Sequence, residues 1–299
     1  MPDLAQFVQS LVSGVGVGLI YGLVGIGFCV IYNASGIVNF AQGVFVMLGG
    51  MICHTLLTKI PGMPMLAAAV LTVPIVAAIG LAIEFLVVRP MWDRGAALFA
   101  IILATLATQI AIERITILTL GDQPRTFPEF TLGGPLKLGP IAISYQLFWI
   151  LGCGALMVGL LWLFFTKTTA GRALRACSQN REAAALLGIP VGRMLMLSFA
   201  LSAALGAVAG ILVTPMQVTT YNIGTPFGVN GFIAAIIGGF GSAAGALAGG
   251  VLLGVLQALA VVALGAGFKN VAALSALLIV LFLFPSGIFA GFARAKKTH

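Results

Sequence analysis

The sequence is poor in charged and titratable side chains. Only 7% of its 299 residues are charged, seven of them acidic, and it has two histidines. Soluble domains carry about a quarter charged residues. No Ser, His and Asp are arranged as a nucleophile with its base. The four cysteines form no CxxC or other ligand-like pattern, and His54 is the only histidine in the body of the chain. These absences argue against a soluble domain, a catalytic centre and a metal site.

A nucleotide-binding loop is also missing. The sequence contains no G-x-x-x-x-G-K-[ST] pattern and not even one Gly-Lys dipeptide. We therefore expect no ATP, Mg²⁺ or other cofactor to be bound by this chain. We also expect no cleavable signal peptide, because the start of the chain lacks a basic segment and the first apolar stretch is long enough to span a membrane.

Apolar residues dominate what is present. They make up 61% of the chain, the mean hydropathy is +1.16, and there are 39 glycines, which allow membrane helices to pack closely. A membrane span needs about 20 apolar residues. The sequence therefore predicts an all-α polytopic membrane protein with about eight or nine transmembrane helices in a single domain, residues 1–299. The apolar stretches are 8–31, 36–57, 64–88, 96–119, 141–165, 194–217, 227–242, 245–265 and 271–291.

Two of these stretches, 36–57 and 227–242, are glycine-interrupted and partly polar, and either could be re-entrant. They occupy comparable places in the two halves of the chain and run in opposite directions, which is typical of inverted repeats around a transport pathway. Two glycine-rich helices that simply pack tightly are the alternative. The candidate pathway residues are Asn39, Phe40, Gln42, Asn230 and Phe232. Their polar members could instead bridge helices, which we expect of Asn33.

The net charge of +8 reports orientation rather than nucleic-acid binding, because the basic residues lie in loops between spans. Loops 89–95 and 166–193 are both basic and are predicted to be cytoplasmic. The same holds for the tail, which contains Arg294, Lys296 and Lys297. Nine crossings then place the N-terminus outside.

Loop 120–140 is predicted to lie outside. Its prolines and glycines argue against regular structure, and it is too short for a binding domain. Three charged residues near span ends, Glu84, Glu113 and Arg114, are interpreted as reaching the membrane interfaces.

The cytoplasmic loop 166–193 is amphipathic rather than apolar. Its helix formers predict a short helix or helix pair outside the lipid, ended by Gly188 before Ile189-Pro190. Glu182-Ala183-Ala184, three residues and Gly188 resemble the EAA-x3-G loop of ABC importer permeases. Segments 18–50, 171–212 and 231–257 resemble the branched-chain amino acid permease family of the LivH type, as does the ending LFLFPSGIFA at 281–290.

This resemblance implies a permease subunit of an ABC importer in the bacterial inner membrane. Its implied partners are two ATPase subunits, which hold ATP and Mg²⁺, a homologous second permease and an extracytoplasmic solute-binding protein. The coupling residues carried over are Arg172, Arg175, Glu182, Ala183, Ala184 and Gly188. Glu182 is expected to cap or hydrogen-bond the loop. Arg172 and Arg175 either contact the ATPase or only enforce topology.

The cargo stays open at the sequence level. Branched-chain or other hydrophobic amino acids are expected, with urea, short amides or carboxylic acids as the alternative. Many family members have an acid after the NFAxG glycine, where this chain has Val44. An ion-coupled carrier is a further alternative. It usually shows buried mid-membrane acids, and these are almost absent here. A membrane-embedded enzyme would need a titratable cluster.

Overall fold

The computed structural model describes residues 4–131, 133–138 and 141–289, and it is mostly helical. A short antiparallel hairpin, β1 (Leu136–Leu138) with β2 (Ile141–Ile143), is the exception. The helices are α1 (Leu4–Ser35), α2 (Gln42–Lys59), α3 (Met65–Ile83), α4 (Arg89–Asp93), α5 (Leu98–Leu120), α6 (Tyr145–Lys167), α7 (Thr169–Gln179), α8 (Arg181–Leu186), α9 (Val191–Val213), α10 (Gly224–Gly238), α11 (Ala243–Leu264) and α12 (Lys269–Leu283).

Seven helices in the described part of the chain are long and apolar enough to cross a membrane. One of them, Met65–Asp93, joins α3 to α4 through a π-helical turn at Glu84–Val88. The two glycine-interrupted stretches, 36–57 and 227–242, correspond to α2 and α10. With 15 residues, α10 is about 22 Å long, too short to cross a hydrocarbon core of about 30 Å. The polytopic all-α architecture is confirmed; the described residues form seven long helices and two shorter ones, α2 and α10, in place of nine similar crossings.

The outer loop contains regular structure that the sequence analysis did not expect. Leu136 pairs with Ile143 in the hairpin, so the first residues of the stretch 141–165 are strand rather than helix. The alternation of leucine and isoleucine around Gly139-Pro140 favours a strand pair. Those two residues and Leu132 lie outside the described residues. Gln9 of α1 bonds both ways with Ala142, which fixes the hairpin to the start of α1.

Helix contacts follow a two-fold pattern. Helix α1 packs on α11 and α10. In the same way, α9 packs on α3 and α2. Likewise α2 packs on α3 and α5, and α10 on α11 and α12. Exchanging α1, α2, α3 and α5 for α9, α10, α11 and α12 therefore reproduces the same contacts. Helices α6–α8 lie between the two repeats in sequence.

The two repeats run in opposite directions. Helix α2 lies parallel to α9, since Gln42 meets Ser202 and Gly50 meets Thr214. Helix α10 lies parallel to α1, since the Tyr21 and Phe28 rings meet those of Phe227 and Phe232. The inner end of α1 lies beside the start of α9 around one cavity, so these two helices are antiparallel. The expected inverted repeat is present, and α2 and α10 are equivalent within it.

Small residues bring α1 and α11 into close contact. A Cβ on Gly18 or Gly254 would overlap the backbone of the facing helix, so α1 and α11 touch along a glycine seam. Because lipid is as apolar as the helices, such close packing rather than water exclusion holds them together. The seam keeps α1 central, and its middle is fully buried.

The basic loops share one end of the molecule. The Arg181 guanidinium of loop 166–193 stacks on Trp92 of loop 89–95. At the opposite end, Arg125 pairs through its backbone with Thr219 and donates to Thr55 Oγ1 at 3.1 Å. This separation agrees with a cytoplasmic side and an outer side. The basic tail residues Arg294, Lys296 and Lys297 lie outside the described residues.

Candidate functional site

Helix α7 begins the predicted coupling loop, residues 166–193, and packs on the membrane helices α1, α6 and α9. The Thr168 hydroxyl caps it by accepting from the Gly171 N–H at 2.9 Å. One face of α7, made of Gly171, Leu174 and Cys177, is buried. A Cβ on Gly171 would strike the backbone of Phe164 at the end of α6. The glycine therefore permits the sharp turn from the spanning helix α6 into α7.

Helix α8 carries the motif, and its two ends are well defined. Asn180 Oδ1 accepts from the Ala183 N–H at 3.0 Å, so Asn180 is the cap rather than Glu182. At the other end, Gly188 has φ +79°. The Gly188 N–H donates to the Ala185 carbonyl at 3.0 Å, and the Ile189 N–H reaches Ala184 at 3.0 Å. This is a Schellman ending, which explains why the motif needs glycine there.

The exposed side of α8 projects away from the bundle. Glu182 and Ala183 are exposed, whereas Ala184 is buried against the protein. Leu186 and Leu187 are 89% and 81% exposed. Two leucines this exposed beyond the membrane end form an apolar surface that the sequence analysis did not single out. Their position just before Gly188 was the available signal.

The two arginines of α7 have different surroundings. Both Arg172 and Arg175 are exposed. Arg175 Nη2 donates to the Phe165 carbonyl at 3.3 Å, near the carboxyl end of α6, where a cation is favoured. The Arg175 guanidinium is thus partly occupied by its hydrogen bond to α6, which leaves Arg172 more available for contact with another protein.

Arg181 links the predicted coupling loop to the inner ends of the membrane helices, and sequence reasoning did not single it out. Its guanidinium lies 5.2 Å from the Trp92 ring centre, and Nη2 occupies the space beside Gly36, which has φ +62°. Desolvation lowers the pKa of Arg181 from its usual value. A cavity of about 540 Å³ borders the same group. The sequence offered only an arginine at the start of a helix, with no sign of the Trp92 contact.

The first pathway candidates lie at the start of the short helix α2. Asn39 is buried, and its Oδ1 accepts from the Ala41 N–H at 3.1 Å. The Phe40 N–H donates to Thr105 Oγ1 at 3.1 Å. Gln42 is fully buried, and its Nε2 donates to the Ser202 carbonyl at 3.2 Å. The Ser202 hydroxyl also reaches the Gly27 carbonyl at 2.9 Å. Gln42 therefore bridges helices and does not face an open path in this conformation.

Asn230 is likewise a bridging residue. Its Nδ2 donates to the Pro226 carbonyl at 2.8 Å, and its Oδ1 accepts from Gln257 Nε2 at 2.7 Å. Asn33, expected to bridge, donates to the Gly241 carbonyl at 2.9 Å. These amides hold α10 and its following turn against α1 and α11, where an unpaired polar group would be costly.

Among the pathway candidates, the structure brings Phe40 and Phe232 together. Their ring centres are 5.4 Å apart, and both side chains are partly exposed. Phe232 also contacts Phe28 and Phe240 at 5.7 Å each. The amides of Gln42 and Asn230 bond to different helices and do not meet. Among the five pathway candidates, the contact made between the two halves is therefore aromatic rather than polar.

Glu84 corrects another expectation. Predicted to lie at the interface, it is fully buried in the π-helical turn. Neither of its carboxylate oxygens has a hydrogen-bond partner among the described residues. Spacing alone could not show this, because the π turn rotates the side chain inward. The described residues contain no cluster of three His, Cys, Asp or Glu side chains able to hold a metal ion.

Comparisons with known proteins agree with this architecture. Residues 10–284 match the model of a family described as branched-chain amino acid transport system / permease component. The chain is 33% identical to the high-affinity branched-chain amino acid transport system permease protein BraD of Pseudomonas aeruginosa, over 96% of this chain and 97% of that protein. It is 30% identical to LivH of Escherichia coli K12, over 94% and 95%. A probable LivH of Methanocaldococcus jannaschii is 31% identical, over 89% and 87%.

Proposed function

The chain belongs to the family of branched-chain amino acid transport permease components, and we propose that it forms one half of the membrane channel of an ABC importer. The proposed cargo is a branched-chain or other hydrophobic amino acid. In this proposal, an extracytoplasmic binding protein delivers the solute, a homologous second permease completes the channel, and two separate ATPase subunits provide the work. The complex resides in the bacterial inner membrane.

The observation that carries this proposal is the shape of α8. Its exposed leucines, Leu186 and Leu187, stand on a helix that is capped at both ends and anchored through α7. This exposed apolar surface lies on the same side of the membrane as the basic loops, which supports docking into a groove on another protein. Arg181 then connects α8 to the segment before α2.

The first test is co-purification with the ATPase subunits. We expect Leu186→Asp and Leu187→Asp to release them, because a charge would replace the apolar contact. The matched control is Leu136→Asp, an exposed leucine on the outer hairpin, which should keep the ATPases bound. Release by the control as well, or retention by both α8 variants, would contradict docking through α8.

The second test separates the transport classes. Complexes in proteoliposomes, with the binding protein added, are assayed for leucine, urea, acetamide and propionate uptake. ATP-dependent leucine uptake supports the proposal, and ATP-dependent uptake of only another solute would replace the cargo. Uptake by the chain alone, driven by an ion gradient, would instead establish a secondary carrier.

A further inference from the structure

A carboxylate lies where α5 meets the start of α10. Glu113 Oε1 accepts from Thr225 Oγ1 at 3.0 Å and from Gln109 Nε2 at 3.2 Å. Gln109 Nε2 also lies 2.8 Å from Thr225 Oγ1, so the three side chains form a closed cluster. The second oxygen, Oε2, accepts no hydrogen bond from the described residues. Glu113 is therefore held in place with one oxygen still available.

This carboxylate is inside the membrane by helix geometry. Glu113 lies seven residues before the outer end of α5 at Leu120 and fifteen after Leu98. At 1.5 Å per residue, these separations are about 10 Å and about 22 Å along the axis. A hydrocarbon core is about 30 Å thick. Glu113 thus sits well below the interface that the sequence suggested.

A charge at this depth needs either a partner or water. Among the described residues, no lysine or arginine nitrogen lies within 4 Å of the Glu113 carboxylate. The ion pair that these residues form joins Arg89 and Asp93 instead. Facing lipid would be costly, and intramembrane acids generally face a bundle interior or a water-filled cavity. The side of α5 that carries Glu113 therefore faces a polar space in the assembled transporter.

The surroundings define what that space accepts. On the same side of α5, toward the inner end, Ile110, Leu106, Leu103 and Phe99 form an exposed apolar stripe. The adjacent stripe on α10 consists of Thr225, Val229 and the partly exposed Phe232. Phe40, bonded to Thr105 of α5 and packed on Phe232, joins the two stripes. These aliphatic and aromatic side chains form a wall on the cytoplasmic side of Glu113.

We propose that Glu113 is a binding residue of the translocation pathway that receives the ammonium group of an amino acid, while the wall below takes its aliphatic side chain. The inference deepens the proposed function and rests on it for the substrate class. Thr225 and Gln109 are positioning residues that fix the carboxylate. A solute lacking a cationic group would gain nothing from Glu113.

The first experiment measures ATP-driven leucine uptake by the full complex in proteoliposomes. Glu113→Gln keeps an acceptor oxygen for Thr225 and Gln109 but removes the charge. We expect uptake to fall about tenfold or more, with ATPase co-purification unchanged, and Glu113→Asp to restore part of it. Asp122→Asn, the same chemical change two residues beyond the end of α5, should transport normally. Normal leucine uptake by Glu113→Gln would overturn the inference.

The second experiment does not depend on the cargo. In a full complex whose four native cysteines are replaced by alanine, Glu113→Cys should react with a membrane-impermeant cationic thiol reagent added outside. Ala111→Cys, at nearly the same depth but about 200° around the helix, should stay unlabelled. If residue 113 is labelled but the wild-type complex does not take up leucine, Glu113 keeps its assigned position in the pathway and leucine is rejected as the cargo. Labelling at 111 alone would overturn the position itself.

Discussion

The Gly224 carbonyl lies where a side chain on Gly43 would have to stand, so the first turns of α2 and α10 touch through their backbones. Gly228 lies beside the same position. The two short helices of the inverted repeat therefore begin at one point inside the bundle and leave it in opposite directions. Each short helix is also packed against long helices of both repeats, so this contact lies within the interface between the repeats.

A methyl group at this crossing should destabilise the protein. Gly43→Ala places a Cβ against the backbone of Gly224, which cannot move aside as a flexible side chain can. Overpacking of this kind costs about 1–3 kcal/mol. Thermal unfolding in detergent should therefore begin at a lower temperature. Gly152→Ala, where the added Cβ meets open space, is the control. Equal stability of the two variants would show that the contact is looser than described.

The left-handed residue at the end of α8 gives a second prediction. Gly188→Val strains a φ of +79°, by about 1–3 kcal/mol. If docking requires this turn, ATPase affinity should fall about fivefold to a hundredfold. Asparagine tolerates the left-handed region, so Gly188→Asn should bind nearly as well as wild type. Binding can be measured by titrating purified ATPase onto the permease in nanodiscs. If valine and asparagine behaved alike, backbone conformation would not be the reason for the glycine.

Arg181 should affect coupling more than docking. Its guanidinium reaches inward to Trp92 and Gly36, whereas the exposed leucines of α8 point outward. Arg181→Ala removes a cation–π contact of about 0.5–2 kcal/mol. We expect ATPases to stay bound but less solute to be transported per ATP hydrolysed. The control is Arg193→Ala, an exposed arginine at the end of the same loop, 166–193. An unchanged transport ratio in Arg181→Ala would remove it from the coupling route.

The buried pair of Gln42 and Ser202 allows a double-mutant cycle. Ser202→Ala leaves Gln42 Oε1 without its buried partner, and an unsatisfied polar group costs about 1–3 kcal/mol. Gln42→Leu alone should also destabilise the protein. The double variant should lose less stability than the sum of the two, because both polar partners are then gone. Additive losses in denaturant unfolding would mean that the two side chains act independently.

Residue types and their spacing were enough to identify much of this protein. Apolar stretches of about 20 residues specify membrane helices, because lipid cannot bond to backbone groups and a helix satisfies them within one segment. The basic loops specify sides by a rule that needs no tertiary contact. Gly188 ends α8 as predicted because a left-handed turn is a local property of the chain. The comparable glycine-interrupted stretches also indicated an inverted repeat correctly.

Positions that depend on which side chains meet across the bundle were decided only by the tertiary structure. Gln42 and Asn230 are amides predicted to line the pathway, and the structure shows that they bond to Ser202 and Gln257 of neighbouring helices. Glu84 is turned inward by a π-helical turn that its sequence does not announce. Glu113 acquired Thr225, 112 positions away, as its partner. Hydropathy and spacing describe one helix at a time, whereas burial and pairing of a polar group in a membrane depend on the helices that surround it.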